Sequence, residues 1–338
     1  MNATASPAAT AKHRDLGLDF VKGFLVVAMA LYHGMNYFSN VPAEYYGYLR
    51  FVNGSFVFIS GYVVAAFYTE QARGNRFGAF RRLASRGFKL LCIFTALNLA
   101  VSVVGVTNYR AVTFGLSDYL ASAPDIYVSG QAHQVAFRIL VPISYVLMVS
   151  GLYLVSKRSQ AILVSLTIAA ALLWTLFAPL VPNAFFVLTG LVGLSFGLLL
   201  LKNDLLRHRL GNWPLILIGF IALASVMNWL SGNALAYGVG VGLLLKLVYD
   251  GAALLSPEGR VYRSLVLLGK YSLVSYIGQI GFLFLLHRIL RNHPIAPAFD
   301  LPLAFLATCA FLLVACTAID KLRRRFSLVE GTYRLVFA

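Results

Sequence analysis

The chain has 338 residues, 59% of them hydrophobic and 14% aromatic, with only 12% charged, against about a quarter charged in ordinary soluble domains. Together with a mean hydropathy of +0.78, this excludes a soluble globular enzyme, a disordered chain and a disulfide scaffold. The net charge is +16, from 28 Lys and Arg against 12 Asp and Glu, but the basic residues cluster in short segments between apolar runs, as the positive-inside bias requires. A bilayer is therefore the expected partner, and nucleic acid is not.

The opening MNATASPAATA is Ala/Ser/Thr-rich and reads as part of a disordered tail over 1–13. It is not a signal peptide, because Asp19 and Lys22 interrupt the apolar region such a peptide needs. Apolar runs then predict about ten transmembrane helices, at 17–38, 51–69, 82–105, 134–156, 160–178, 184–201, 212–231, 233–249, 262–286 and 300–319. The predicted fold is an all-α polytopic membrane bundle, with a transmembrane domain over 14–320 and a basic tail over 321–338. A cytoplasmic N-terminus puts Arg73, Arg76, Arg81, Arg82, Arg86 and Lys89 inside, followed by Lys157, Arg158, Lys202, Arg207, Arg209, Arg260 and Arg263. Lys321, Arg323, Arg324 and Arg325 fall on the same side, so both termini are expected in the cytoplasm of a bacterial inner-membrane protein. Outside remain Arg50, Arg110, Arg288 and Arg291.

The longest loop, 106–133, lies outside in this arrangement and carries Asp118, Pro124, Asp125, Gly130 and His133. It reads equally as a contact for an extracytoplasmic substrate and as a solvated connector. Gly190, Gly193, Gly197, Gly238, Gly240 and Gly242 fall inside apolar runs and are expected to let helices approach closely. Cys92, Cys309 and Cys316 also sit in apolar runs, without CxxC spacing or a histidine cluster, so no metal site is expected.

Ionisable side chains inside a span are costly, which makes each a functional candidate. The first helix holds Asp19, Lys22 and His33. Lys22 and His33 are eleven residues apart, about three turns and about 16 Å along one helical face. Asp19 can pair with Lys22 on the same stripe and, with His33, makes up the candidate catalytic set. This layout suits a ligand with an anionic end at the cytoplasmic mouth and a reactive end at the histidine. Acyl-CoA has that shape: its phosphates would meet Lys22, Arg81, Arg82 and Arg86, and His33 would act as general base on an incoming hydroxyl. The competing reading of the same residues is a hydrogen-bonded packing histidine and an interfacial ion pair.

The stretch Arg14…Leu18-Asp19-Phe20-Val21-Lys22-Gly23…His33 resembles the first-helix signature of the acyltransferase family 3 membrane proteins. In that signature a basic residue, ten intervening residues and a histidine recur. Phe56-Val57-Phe58-Ile59-Ser60-Gly61-Tyr62 resembles the family's apolar Ser-Gly motif, and Phe80-Arg81-Arg82-Leu83-Ala84-Ser85-Arg86 its arginine-rich start of the third helix. Leu268-Gly269-Lys270-Tyr271-Ser272 through Tyr276 resembles its late helix. The similarity is greatest to the OpgC-type branch, which modifies periplasmic glucans. Lys22 stands where the family usually has arginine, a point donor in place of a planar fork.

The resemblance implies transfer of an acyl group, succinyl or acetyl, from cytoplasmic acyl-CoA to hydroxyls of a periplasmic glucan or other envelope glycan, with His33 at the catalytic position. No permanently bound cofactor is implied, and a homo-oligomer is compatible with the sequence. Ser60 and Gly61, with Tyr276 and Gln279 three residues apart on one face, are expected to line the substrate tunnel. Direct transfer is preferred to an acyl-enzyme, since no Ser or Cys stands at nucleophile–base spacing to His33. A succinyl group would need one cation near the thioester; Lys22, Arg138 and Lys270 are available, but linear spacing does not locate them relative to that point. The alternative from another class is a transporter or flippase for an amphipathic envelope intermediate, in which the buried polar residues line a pathway.

Overall fold

The computed structural model describes residues 15–38, 43–103, 115–132, 135–156, 160–177, 181–200, 210–292 and 297–337. Among the described residues every regular element is helical. The expected tail 1–13, residues 106–114 of the expected loop 106–133 with Arg110, and Lys157, Arg158, Lys202, Arg207, Arg209, His133 and His293 lie outside them.

Helix α1, Leu16–Phe38, begins where Asp15 Oδ1 accepts from the Leu18 N–H at 3.0 Å, a side-chain cap on an otherwise orphan donor. Helix α2, Phe51–Val63, continues through a π-helical turn at Val64–Tyr68 into Thr69–Gly74. Then come α3 (Arg76–Val103), α4 (Leu140–Val155), α5 (Gln160–Phe177), α6 (Pro182–Leu200) and α7 (Trp213–Leu230). Helix α8, Ala234–Ala253, is capped by Asn233 Oδ1, which accepts from Leu235 and Ala236 N–H at 3.0 Å each. Helices α9 (Arg260–Lys270), α10 (Ser272–Asn292), α11 (Pro297–Arg325) and α12 (Ser327–Phe337) complete the chain. Among the described residues, eight helical segments are long and apolar enough to cross a bilayer, against about ten expected, and Leu140–Val155 is apolar but shorter.

The predicted span 262–286 requires correction. Its first part is the separate helix α9, which ends at Lys270 before α10 starts at Ser272. Helix α9 is amphipathic: Arg260 and Arg263 are on it, while Leu268 and Gly269 are buried. It therefore lies against the bundle, and α10 alone makes the crossing length.

Helix α1 is the hub, packed against α2, α8, α9, α10 and α11, with Leu25, Val26, Met29 and Ala30 fully buried. Two crossings are set by backbone contact. At the α1–α9 crossing, a Cβ on Gly23 would fall 1.8 Å from the Leu265 carbonyl oxygen, and one on Gly269 1.7 Å from that of Asp19. At the α2–α6 crossing, a Cβ on Gly61 would fall 1.9 Å from the Gly190 carbonyl oxygen, and one on Gly193 2.2 Å from that of Phe58. Only glycine fits such approaches.

At the C-terminal end, Glu330 accepts from Arg323 and Arg334, each at 2.6 Å, holding α12 against the end of α11. The Arg323 guanidinium lies 3.7 Å over the Tyr333 ring, which meets Tyr271 edge-on at 5.6 Å. Lys270 and Asp320 pair at 2.5 Å, and the Tyr271 hydroxyl donates to the same carboxylate at 2.7 Å. The hydrogen bonds from Arg323 and then Arg334 hold the Glu330 carboxyl down at about 2.

Two outcomes follow from this packing. Gly61→Leu should lower the thermal stability of the detergent-solubilised protein by about 1–3 kcal/mol or more, whereas Ser60→Ala, one residue away, should leave it nearly unchanged; a thermal-shift series compares them. The depressed Glu330 pKa means that its contribution is fully present above the ordinary carboxyl value of 4.5 and is lost as pH falls toward 2. Glu330→Gln should remove it at neutral pH too, seen as faster amide exchange over 327–337 with protection of α1 retained.

Candidate active site

Of the cavities beside α1, two hold the polar residues singled out above and share part of their walls. The first, about 310 Å³, is lined by Lys22, Ser60, Arg86, Lys89, Tyr276 and Val336 among others. The second, about 240 Å³, is lined by His33, Asn36, Asn53, Arg138, Asn183 and Tyr276 among others. Tyr276 and Ile139 belong to both walls. The basic end of α1 and its histidine thus open onto adjoining spaces that meet at one tyrosine and one isoleucine.

Each side chain is placed by its helix. Lys22 Nζ pairs with Asp19 Oδ1 at 2.6 Å, and that carboxylate is almost entirely buried. Arg86, on α3, donates to the Tyr68 hydroxyl, and its guanidinium sits 5.7 Å over the Tyr68 ring. Tyr68 lies in the π-helical turn of α2, where the extra residue per turn re-aims side chains, a device frequent at functional sites. Ser60 lines the basic cavity and donates to the Phe56 carbonyl at 2.8 Å, the backbone bond typical of a helical serine.

At the other end, the His33 ring lies edge-on to Tyr32 at 5.5 Å and 6.3 Å from the Tyr276 ring. Its Nε2 is buried and has no hydrogen-bond partner among the described residues. A ring nitrogen buried without a partner beside a cavity is positioned to take a proton from a ligand hydroxyl. Asn183, in the same wall, donates to the Ile126 and Tyr127 carbonyls at 3.0 and 3.1 Å, tying the segment 115–132 to α6.

The structure brings together Lys22, Arg86, Ser60, Tyr276 and His33, but not every residue singled out in the sequence. Asp19 does not reach His33: both lie on the uninterrupted α1, fourteen residues apart, about 21 Å along the axis. Its carboxylate fixes Lys22 instead. Arg81 and Arg82 are exposed and line neither cavity; Arg82 reaches Gln71 Oε1 at 3.4 Å. Gly61 is spent on the contact with Gly190 and is not in a cavity wall. Gln279 lines neither cavity, although it is fully buried and both its amide atoms lack partners among the described residues. Lys270 is engaged with Asp320. Linear reading did not bring Tyr68, Val336, Asn36, Asn53 or Asn183 to the site. Lys89 had a signal: it follows Arg86 by three residues and so shares its face.

The sequence profile of an acyltransferase domain, that of acyltransferase family 3, matches residues 15–321, nearly the whole chain. The chain belongs to acyltransferase family 3. It is accordingly a membrane O-acyltransferase, and the two cavities lie wholly within the matched region except where Val336 of α12 closes the basic one. No curated protein and no solved structure matches the chain significantly.

The Asp19–Lys22 pair has a stability consequence. Removing the cation alone takes a charged partner from a buried carboxylate, so Lys22→Met should destabilise the protein by roughly 2–4 kcal/mol. Asp19→Asn combined with Lys22→Met should recover part of that loss. A double-mutant cycle by thermal unfolding measures the coupling; additive effects would show that the pair is energetically idle.

Proposed function

We propose that the protein transfers an acyl group from acyl-CoA, bound with its phosphates at Lys22, Arg86 and Lys89, to a hydroxyl of an envelope glycan held at His33. The observation that carries this reading is the adjoining of the two cavities at Tyr276 and Ile139, a basic mouth at one end and an unpartnered imidazole nitrogen at the other. The basic residues suit phosphate oxygens, and on this reading the pantetheine arm would extend past Tyr276 and Ile139, the residues common to both chambers. The expected topology, with both termini in the cytoplasm of a bacterial inner membrane, would face the basic mouth to the acyl-CoA pool and the His33 chamber outward. The OpgC-type resemblance favours a periplasmic glucan as acceptor.

In this mechanism His33 Nε2 accepts the acceptor's hydroxyl proton as the oxygen attacks the thioester carbon. The new C–O bond forms, the C–S bond breaks, and the proton passes from the imidazolium to the departing sulfur, so that coenzyme A leaves as the free thiol. Asp19 acts on donor binding by fixing Lys22, not on the proton. Tyr276, shared by both chambers, borders the place where the carbonyl would sit.

His33→Ala should reduce transfer by about 10²–10⁴-fold in a protein that still folds, while Arg86→Ala should raise the KM for acyl-CoA with a much smaller change in kcat. Mass spectrometry of envelope glycans from cells with the gene, without it, and complemented with His33→Ala tests the whole reading. A discrete acyl mass present only with the wild-type gene supports it. An unchanged acylation pattern, with a glycan or lipid-linked intermediate trapped on one side of the membrane, would place a transporter or flippase first.

A further inference from the structure

The His33 chamber contains one feature that proton transfer does not require. Arg138 is the only charged side chain in its wall among the described residues. Arginine within a membrane bundle is costly and calls for a functional reason, and this one stands immediately before α4, at the helix end where the macrodipole disfavours a cation. Its guanidinium donates to the Gly130 carbonyl, which anchors it to the outer loop, and a guanidinium carries five N–H donors in a planar fork.

The backbone around it is held in an unusual shape. Phe137, the preceding residue, has φ +57°, the only positive φ of a non-glycine residue among those described. A bulky aromatic residue there is a genuine outlier, and such strain persists where the surrounding structure over-determines it, commonly at ligand sites. The Phe137 ring is fastened edge-on to Tyr276 at 5.9 Å. Gly130, with φ +73°, comes so close to Asn183 that a Cβ would meet its Oδ1 at 2.6 Å. The loop, the strained turn and α6 together fix Arg138 in the same wall as His33.

Resting on the acyl-transfer reading, we infer that Arg138 makes this chamber a carboxylate-reading site: the group transferred, or the sugar that receives it, bears a carboxylate next to the reacting centre. A planar guanidinium matches a carboxylate in two parallel hydrogen bonds. A chamber of about 240 Å³ whose other polar walls include the neutral Asn36, Asn53 and Asn183 suits one small monoanion. The donor's phosphates are provided for at the far mouth. The carboxylate has two sources, the distal end of a dicarboxylic acyl group such as succinyl, or a uronic acid in the acceptor.

The test uses full-length protein in nanodiscs with His33→Ala to prevent turnover, and measures binding of succinyl-CoA against butanoyl-CoA, which has the same chain length with a methyl in place of the carboxylate. In parallel it compares the methyl glycosides of glucuronic acid and glucose. The expected result is at least a 10-fold preference for the acidic member of one pair, lost in Arg138→Gln and partly kept in Arg138→Lys. Preference in the first pair assigns the carboxylate to the acyl group, and in the second to the acceptor. Equal affinity within both pairs, or a preference that survives Arg138→Gln, overturns the inference; the first of these is read on Arg138-containing protein and needs no variant that might misfold at that position. If neither acyl-CoA binds and the His33-containing protein consumes no thioester, the acyl-transfer reading fails by itself, whereas an Arg138-dependent glucuronoside preference would still stand.

Discussion

A lysine, a buried carboxylate and an imidazole on one transmembrane helix are tolerable only if lipid does not touch them, and the bundle is organised around that constraint. Helix α1 has neighbours in α2, α8, α9, α10 and α11. The closest of these approaches is at the polar end. Gly269 puts the α9 backbone against the Asp19 carbonyl, and Gly23 puts the α1 backbone against Leu265, so the Asp19–Lys22 pair is covered from one side by a helix that does not itself span. Lys22 also lines the basic cavity, together with Arg86 and Lys89. The pair is thus shielded by a neighbouring helix while its cation stays open to a cavity.

The fold was legible where hydrophobicity and charge alternate along the chain, because a span must be apolar for about 20 residues and a loop on the positive side must be basic. Helices fall within the predicted spans, although among the described residues eight, not ten, are long and apolar enough to cross, and 262–286 holds parts of two. The failure at 260–272 has a specific cause. A hydropathy window averages over about 19 residues, and the apolar residues Val266 to Leu268 run into Leu273 and Val274 with no proline to mark a stop. The break at Tyr271 depends instead on tertiary contacts: Lys270 and Tyr271 both bond to Asp320 of α11, a partner far along the chain that no local pattern announces. Likewise the basic segment 321–338 is legible as charge, but its helix α12 reveals itself only through Glu330, which binds arginines on both sides.

The candidate site divides along the same line. Relations within one helix were readable from spacing: the Asp19–Lys22 pair at three residues and the common face of Lys22 and His33. The same geometry separates Asp19 from His33 and explains why Arg86, not Arg81, lines the cavity, since five residues on a helix amount to about 140° of rotation. Relations across helices were not readable. The π-helical turn that presents Tyr68 to Arg86 leaves no mark on an apolar run. Neither does the strained Phe137, which turns Arg138 from an unplaced cation into part of the histidine's wall.

The boundary that the two cavities share at Tyr276 and Ile139 gives the arrangement its physical sense. On the acyl-transfer reading, a donor from one side must reach an acceptor on the other without a water-filled channel. A boundary that includes an aromatic ring and a β-branched aliphatic side chain suits both demands, because a slender apolar arm can displace packing contacts there while ions gain no hydration. The two walls divide the polar groups accordingly: Lys22, Arg86 and Lys89 line the first cavity, and His33 lines the second with Asn36, Asn53 and a single cation among the described residues, Arg138. On the acyl-transfer reading, reaction at the boundary also favours the chemistry: with little water nearby, the imidazole is the base within reach of an attacking hydroxyl, and the thioester is protected from hydrolysis until the acceptor is in place.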